Sequence, residues 1–183
     1  MEVKSKRHSS ELIRDLNLNR VPEMILDKYD ASKIEDFCNQ YQEPVYILRD
    51  LDSPSGMFFV CKSKEECLKN AKNYPGHFSL AVSYSSYTGK VLLGDIMIDN
   101  NRVVIGARND SASHHRNIYE NACINLDTDW DDKRLWKVHG VEKVFNYVLS
   151  KNIFNVVVEF VVYDKKVGVN NEDVLIVELR SKY

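Results

Sequence analysis

Two apolar segments near the C-terminus constrain the fold of this 183-residue chain more than any other feature of its sequence. They cover residues 154–163 and 174–179, and both are dense in β-branched side chains. Such side chains favour extended backbone, and the sequence 165–168 between them, Lys-Lys-Val-Gly, is typical of a turn. The two segments are therefore predicted to form a β-hairpin.

Turn-forming sequences divide the rest of the chain into shorter strands. Residues 45–48 and 57–61 are predicted to pair as a hairpin around a loop of small and polar residues. Further strands are predicted over 78–86, 90–98 and 102–107, and good tight-turn sequences separate them. We expect these last three strands to form an antiparallel meander.

Helices are indicated where a capping residue precedes apolar positions spaced three and four residues apart. The first is predicted after Ser9 or Ser10, and the second after Asp30. A third follows the capping box that begins at Ser63, and a fourth covers roughly residues 136–150.

The order of these elements predicts an α+β fold with mainly antiparallel sheets. We expect two lobes. Residues 1–76 are predicted to form an N-terminal lobe of helices plus a β-hairpin. Residues 77–183 are predicted to form a C-terminal lobe with an antiparallel sheet and one long helix.

Charge and hydropathy exclude several classes of protein. Lys and Arg total 25 against 27 Asp and Glu, a near balance that argues against a dedicated duplex-binding protein. No apolar run approaches the ~18 residues of a membrane span, and the charged N-terminus lacks the apolar segment of a secretion signal. The four cysteines have neither zinc-site nor disulfide-framework spacing. We therefore expect a cytoplasmic protein with reduced, mostly buried thiols.

A candidate phosphate site lies at the tip of the first predicted hairpin. Arg49 ends a strand, and residues 53–56, Ser-Pro-Ser-Gly, follow in a loop. A strand-end cation beside small residues can place its charge and nearby backbone amides around phosphate oxygens. The alternative is an ordinary turn, in which Arg49 pairs with Asp50 or Asp52 at the surface.

Two glutamates stand alone among the apolar residues of the C-terminal hairpin. Glu159 lies between Val158 and Phe160, and Glu178 lies between two further apolar residues. Carboxylates are rarely buried unless a cation offsets their desolvation. If the two side chains converge on one face, they could hold Mg²⁺ together with substrate phosphates. The alternative is a half-exposed sheet, on which both glutamates face solvent and pair with Lys or Arg.

The polar segment 109–117 is a third candidate site. It contains the adjacent residues His114 and His115, which could bind an anion when protonated or transfer a proton. With Arg108 and Arg116, His114 could form a clamp for a phosphate or a carboxylate. The alternative is a solvated loop whose imidazoles have no role.

Taken in chain order, these features resemble an ATP-grasp domain. They are the Pro-containing segment 19–23, the strand ending at Arg49, the loop 53–56, the capping box 63–66, and the late strands with Glu159 and Glu178. The resemblance covers residues 12–180.

The resemblance implies that ATP lies between two α+β lobes. It implies that Glu159 and Glu178 bind Mg²⁺. It also implies that the phosphate contacts come from Arg49, Ser53, Ser55 and Gly56. The family usually has Asn two residues after the second acid, where this chain has Arg180. A guanidinium cannot ligate a cation but can bind an anion. The family's customary N-terminal substrate domain is not recognisable in the sequence.

Two functions are consistent with this resemblance. The first is Mg-ATP-dependent activation of a carboxylate as an acyl phosphate, with Arg180, Arg108 and His114 as candidate catalytic residues. The second is a non-catalytic module that binds a nucleotide, another anion or a partner subunit. Single-stranded nucleic-acid binding on the aromatic strands is a third alternative. Expected partners are a nucleotide, a small anionic substrate, and a second copy or another subunit that supplies the missing domain.

Overall fold

A computed structural model describes residues 2–43, 45–52, 57–108 and 124–181. The helices are α1 (Lys6–Asp15), α2 (Ala31–Tyr41), α3 (Lys64–Lys72) and α4 (Val141–Ser150), with 3₁₀ turns at Tyr84–Ser86 and Leu135–Lys137. The strands are β1 (Glu23–Leu26), β2 (Tyr46–Asp50), β3 (Phe58–Cys61), β4 (Phe78–Val82), β5 (Lys90–Asp99), β6 (Arg102–Arg108), β7 (Ile124–Asp129), β8 (Val156–Val167) and β9 (Glu172–Ser181). The strands form two antiparallel sheets, which confirms the predicted α+β class. Of the helices in these ranges, none has the length and apolar character needed to span a bilayer.

The chain divides into two compact units. The smaller unit contains the described residues of 5–7 and 21–88, and the larger unit contains those of 1–4, 8–20 and 89–183. This division differs from the predicted boundary between residues 76 and 77. The reason is β4, which pairs with β1 and β2 rather than with β5. The predicted meander was therefore wrong in its first strand, and β7 takes the third place beside β6.

The smaller unit packs α2 and α3 against a sheet with the strand order β1-β4-β2-β3. Its strand β1 was not predicted, because the strand has only four residues and directly follows Pro22. Cys38, Cys61 and Cys67 lie in this core as buried free thiols, as expected. Cys123 lies outside the described residues.

The helix ends show where local sequence decides structure. The predicted caps at Asp30 and Ser63 are confirmed, since each side chain accepts a hydrogen bond from a backbone amide three residues ahead. Ser9 and Ser10 lie inside α1 rather than at its start. The fourth helix begins at Val141, not near 136, because Gly140 has a left-handed φ of 96° that separates α4 from the preceding 3₁₀ turn.

The larger unit has the strand order β7-β6-β5-β8-β9. One face of this sheet packs with α1 and α4 in a single apolar core, to which Ile96, Val158 and Phe160 contribute fully buried side chains. Side chains alternate along a strand, so the residues between these positions point to the opposite face. That opposite face is called the outer face below.

Asn19 joins the turn between β8 and β9 to the segment that follows α1. Its side chain is fully buried. The amide Nδ2 donates to the carbonyl oxygens of Val167, Glu172 and Val174 at 3.0, 3.3 and 2.8 Å. Its Oδ1 accepts from the backbone amide of Asn170 at 3.0 Å. One side chain thus satisfies buried backbone groups on both sides of the turn.

The outer edge of β9 is protected by the N-terminal segment. The amide of Ile176 donates to the Asn19 carbonyl at 2.8 Å, and the amide of Leu179 donates to Ser9 Oγ at 2.8 Å. An unpaired edge strand would expose these donors to other chains. Gly168 completes the arrangement, because it has a φ of 75° and an added Cβ would lie 2.5 Å from Asn19 Oδ1.

We predict that Asn19→Ala lowers the free energy of unfolding by about 3 kcal/mol or more, since it strands several buried backbone groups and each costs roughly 1–3 kcal/mol. Urea unfolding monitored by circular dichroism measures this loss. Asn170→Ala is the matched control, because its side chain makes one exposed hydrogen bond to the Asn17 carbonyl. Equal losses in the two variants would contradict the role assigned to Asn19.

Candidate functional site

Three carboxylates lie side by side on the outer face of the larger sheet. Asp95 on β5 is directly opposite Glu159 on β8, and Glu159 is directly opposite Glu178 on β9. Side chains in directly opposed positions have Cβ atoms roughly 4.5–5.5 Å apart. These three residues are called the acid row. Their like charges are therefore close enough to repel one another.

A β-bulge brings Glu178 into the acid row. Ile176 pairs with Phe160 in the core, while Glu178 pairs with Glu159, so that Val177 is an extra residue on β9. Without this extra residue, strict alternation would put Glu178 on the same face as Ile176, within the apolar core. The bulge instead places both glutamates on the outer face. A shared Mg²⁺ site, as predicted from the sequence, needs both side chains on one face.

Arg180 lies over the acid row and binds Asp95. Its Nη2 donates to Asp95 Oδ1 at 2.5 Å. β5 and β9 are not neighbours, because β8 lies between them. The side chains of Arg180 and Asp95 therefore span two strand spacings, about 10 Å, between them, and they meet above β8 on the face where Glu159 lies.

The electrostatics of Arg180 agree with this position. Burial acts to lower the pKa of the guanidinium, but the nearby carboxylate of Asp95 raises it, with further contributions from Glu159 and Glu178. The net result is a pKa above the usual value for Arg. Arg180 is therefore a permanent cation that compensates part of the charge of all three carboxylates.

Asp95 is the residue that sequence reasoning missed. Like the two glutamates, it is a single acid inside an apolar strand, between Gly94 and Ile96. That same pattern could have identified it. Its register opposite Glu159, however, depends on which strands pair, and β5 pairs with β8 across a long stretch of intervening sequence.

Among the described residues, nothing fills the position beside Asp95 on the outer face. Gly106 on β6 is the next residue in the same line, and an added Cβ there would meet no heavy atom within 4 Å in the described structure. Asn125 on β7 follows opposite Gly106. From β7 to β9, the directly opposed positions on the outer face are therefore Asn125, Gly106 and the three carboxylates of the acid row.

Arg108 is a second cation on the outer face. It alternates with the buried core residue Ala107 and lies opposite Leu93, two residues before Asp95. Only 9% of Arg108 is exposed, although it is charged. His114, which was predicted to act with it, lies outside the described residues.

Arg49 belongs to the smaller unit, where it occupies β2 opposite Phe58 and Ser79. Of the two acids that could pair with Arg49 in an ordinary turn, Asp50 and Asp52, the second binds His77. The Nδ1 of His77 lies 2.9 Å from Asp52 Oδ1. Hydrogen bonds from the backbone and side chain of His77 lower the pKa of the Asp52 carboxyl below its usual value. Ser53, Ser55 and Gly56, the rest of the predicted phosphate loop, lie outside the described residues.

The donor set of the acid row fits Mg²⁺ as a partial ligand set. Among the described residues, no three acidic, His or Cys side chains converge closely enough to hold a metal ion by themselves. Mg²⁺ is typically bound by one or two carboxylates together with water and phosphate oxygens. Glu159 and Glu178 can supply two such carboxylates, while Asp95 is engaged with Arg180.

Solved structures share the fold of the chain. No protein-family model matches it, and no curated protein matches it in sequence. The D-alanine-D-alanine ligase from Coxiella burnetii has a TM-score of 0.55 at 12% identity, over 98% of this chain and 48% of that chain. The ADP complex of PurK, N5-carboxyaminoimidazole ribonucleotide synthetase, has a TM-score of 0.58 at 11% identity, over 100% and 45%. The D-alanine-D-alanine ligase from Helicobacter pylori has a TM-score of 0.53 at 13% identity, over 97% and 54%.

These similarities confirm the predicted ATP-grasp-like fold. At such low identity they establish the fold alone. The chain spans about half the length of each of these structures.

We predict that Arg180→Gln lowers the free energy of unfolding more than Asp95→Asn does. Arg180→Gln removes the guanidinium that compensates part of the charge of three neighbouring carboxylates. Asp95→Asn removes one of these negative charges and keeps the guanidinium. A double-mutant cycle on this half-exposed pair should give a coupling of about 1 kcal/mol.

The matched control is the pair of Arg102 and Asp127 on the same face, whose exposed side chains meet at 2.6 Å. Its coupling should be smaller, at most about 0.5 kcal/mol. If Asp95→Asn were the more damaging change, repulsion within the acid row would not be the dominant effect.

Proposed function

We propose that the chain binds ATP together with Mg²⁺ and uses it to activate a carboxylate as an acyl phosphate. The observation that supports this most is the register of Glu159 and Glu178, which lie opposite each other on the outer face. The ADP complex of the similar PurK structure is consistent with a nucleotide as ligand. In this proposal Glu159 and Glu178 would hold Mg²⁺, which would supply charge neutralisation and orientation for the phosphate groups.

The side chains of the larger unit have distinct roles in this proposal. Arg180 and Arg108 place positive charge on the outer face, where they can neutralise phosphate or carboxylate oxygens. His114 is proposed to contact the anionic substrate beside Arg108. In the smaller unit, Arg49 and the loop residues Ser53, Ser55 and Gly56 are proposed to bind phosphate.

The proposed reaction is a phosphoryl transfer. A carboxylate oxygen of the substrate attacks the γ-phosphorus of ATP, and the bond from that phosphorus to the β–γ bridging oxygen breaks. The products are an acyl phosphate and ADP. An amine or thiol then displaces phosphate from the acyl group. Such transfers depend on positioning and charge stabilisation, which a pair of arginines beside bound Mg²⁺ can provide.

A non-catalytic nucleotide-binding or subunit-interaction module is the second candidate function. The ion pair between Arg180 and Asp95 favours it, because a guanidinium already compensates part of the charge that would otherwise attract metal ions. The chain also spans only about half the length of the similar ligases. A second copy or a partner subunit would then supply the substrate-binding part, and we propose that the assembly is cytoplasmic.

We predict that Mg-ADP and Mg-ATP stabilise the native chain. A ligand at a hundredfold excess over its Kd adds about 2.7 kcal/mol, which corresponds to a rise in Tm of roughly 5–10 °C for a chain of this size. Glu159→Gln and Glu178→Gln should each remove most of this rise. Glu142→Gln, an exposed acid in the first turn of α4, is the matched control and should retain it.

Three comparisons separate the candidate functions. Absence of any shift at millimolar Mg-ADP and Mg-ATP would exclude nucleotide binding and leave the interaction module. A shift without phosphate release, when carboxylates and amines are added, would indicate binding without catalysis. Arg49→Gln tests the part of the resemblance that assigns phosphate binding to the smaller unit.

A further inference from the structure

Arg180 stands on the outer face where the family that the chain resembles usually has Asn, and the resemblance does not explain its chemistry. We infer that Arg180, held in place by Asp95, is a fixed cation that binds a phosphate group of the nucleotide, so that part of the nucleotide affinity is independent of divalent metal. This inference rests on the proposed function and adds a phosphate-binding residue and a positioning residue to it.

The position of the guanidinium supports this role. It reaches from β9 to Asp95 on β5 and therefore lies over β8, beside Glu159. Any Mg²⁺ bound by Glu159 and Glu178 would lie beside the same guanidinium. A phosphate that shares oxygens with that metal thus comes within reach of Arg180.

The hydrogen-bonding capacity of Arg180 also supports it. A guanidinium has five N–H donors, and Asp95 takes one through Nη2. The buried Nε–H of Arg180 has no acceptor among the described residues. The side chain nevertheless remains 27% exposed, so part of it is accessible to a ligand. Guanidinium groups bind phosphate oxygens through pairs of parallel N–H donors.

Charge balance indicates why a metal and an arginine can coexist here. The acid row contributes three negative charges, and Arg180 compensates part of them. A divalent cation bound by the glutamates would compensate more of this charge. Arg180 therefore reduces the need for metal without abolishing it.

Asp95 is a positioning residue in this arrangement. Its carboxylate holds the guanidinium over β8 through the hydrogen bond from Nη2. Without Asp95, the nearest acceptors for Arg180 are Glu159 and Glu178, the two residues that are proposed to bind Mg²⁺. Loss of Asp95 should therefore make the guanidinium compete with the metal for its ligands.

The test measures ADP affinity by isothermal titration calorimetry with the full chain, first in EDTA and then at increasing Mg²⁺ concentrations. The wild-type chain should bind ADP in EDTA, with an affinity about 10- to 100-fold below that in saturating Mg²⁺. Arg180→Gln should lose at least tenfold in EDTA. In the same variant, the increase of ADP affinity with Mg²⁺ should be half-complete at a lower Mg²⁺ concentration than in wild type, because the Arg180 guanidinium no longer competes with the metal for the glutamates.

Asp95→Asn should change the Mg²⁺ dependence of ADP binding in the opposite direction. It should need several-fold more Mg²⁺ for half-maximal enhancement, since Arg180 then occupies the glutamates. A merely structural role for Asp95 would weaken binding without moving this Mg²⁺ midpoint. Arg102→Gln, which removes an exposed arginine from the same face, is the control and should leave both measurements unchanged.

The failures are distinguishable. Absence of ADP binding in both EDTA and Mg²⁺ overturns the proposed function and this inference with it. Binding that depends strictly on Mg²⁺, or EDTA binding that Arg180→Gln does not change, overturns only the inference. If thermal unfolding shows that Arg180→Gln does not fold, Arg180→Lys replaces it. That variant keeps the charge but loses the paired donors, so it should still lose several-fold in EDTA, and unchanged EDTA binding overturns the inference.

Discussion

Repulsion within the acid row, offset in part by the Arg180 guanidinium, is the constraint on which the outer face of the larger sheet depends. Three carboxylates on adjacent strands in one register line would oppose pairing of those strands. Arg180 offsets this repulsion only in part, since it contributes one positive charge against three negative ones. A cation that bound to the glutamates, as proposed, would reduce this repulsion further.

The position of these charges depends in turn on how β9 is anchored. β9 supplies both Glu178 and Arg180, yet it is an edge strand and therefore has a partner on one side only. On its other side, β9 donates backbone hydrogen bonds to Ser9 in α1 and to Asn19, which follows α1. A slip of one residue on β9 would exchange the core and outer faces of the strand. The buried contacts of Asn19 oppose such a slip, so a residue far from the acid row fixes its geometry.

Much of the fold and part of the candidate site could be predicted from local sequence. The caps at Asp30 and Ser63 were predictable, because a cap depends on a few neighbouring residues. The isolated glutamates were visible because a charge inside an apolar strand is unusual. The membership of β4 was not predictable, since its apolar pattern fits either sheet and only long-range pairing decides. The bulge at Val177 and the partner of Arg180 depend on the same long-range register. Asp95 was therefore overlooked although its pattern resembles that of the glutamates.

Arg180 stands where the family that the chain resembles usually has Asn, and this difference changes which ligands the proposed site would favour. A ligand oxygen adds to the affinity for metal, whereas a guanidinium competes with metal for the carboxylates and adds to the affinity for anions. In the proposed site Asp95 limits this competition, because it engages the guanidinium and so leaves Glu159 and Glu178 to bind the metal ion. In the proposed site Asp95 and Arg180 therefore act together. Without Arg180 the site would favour metal ions, and without Asp95 it would favour anions.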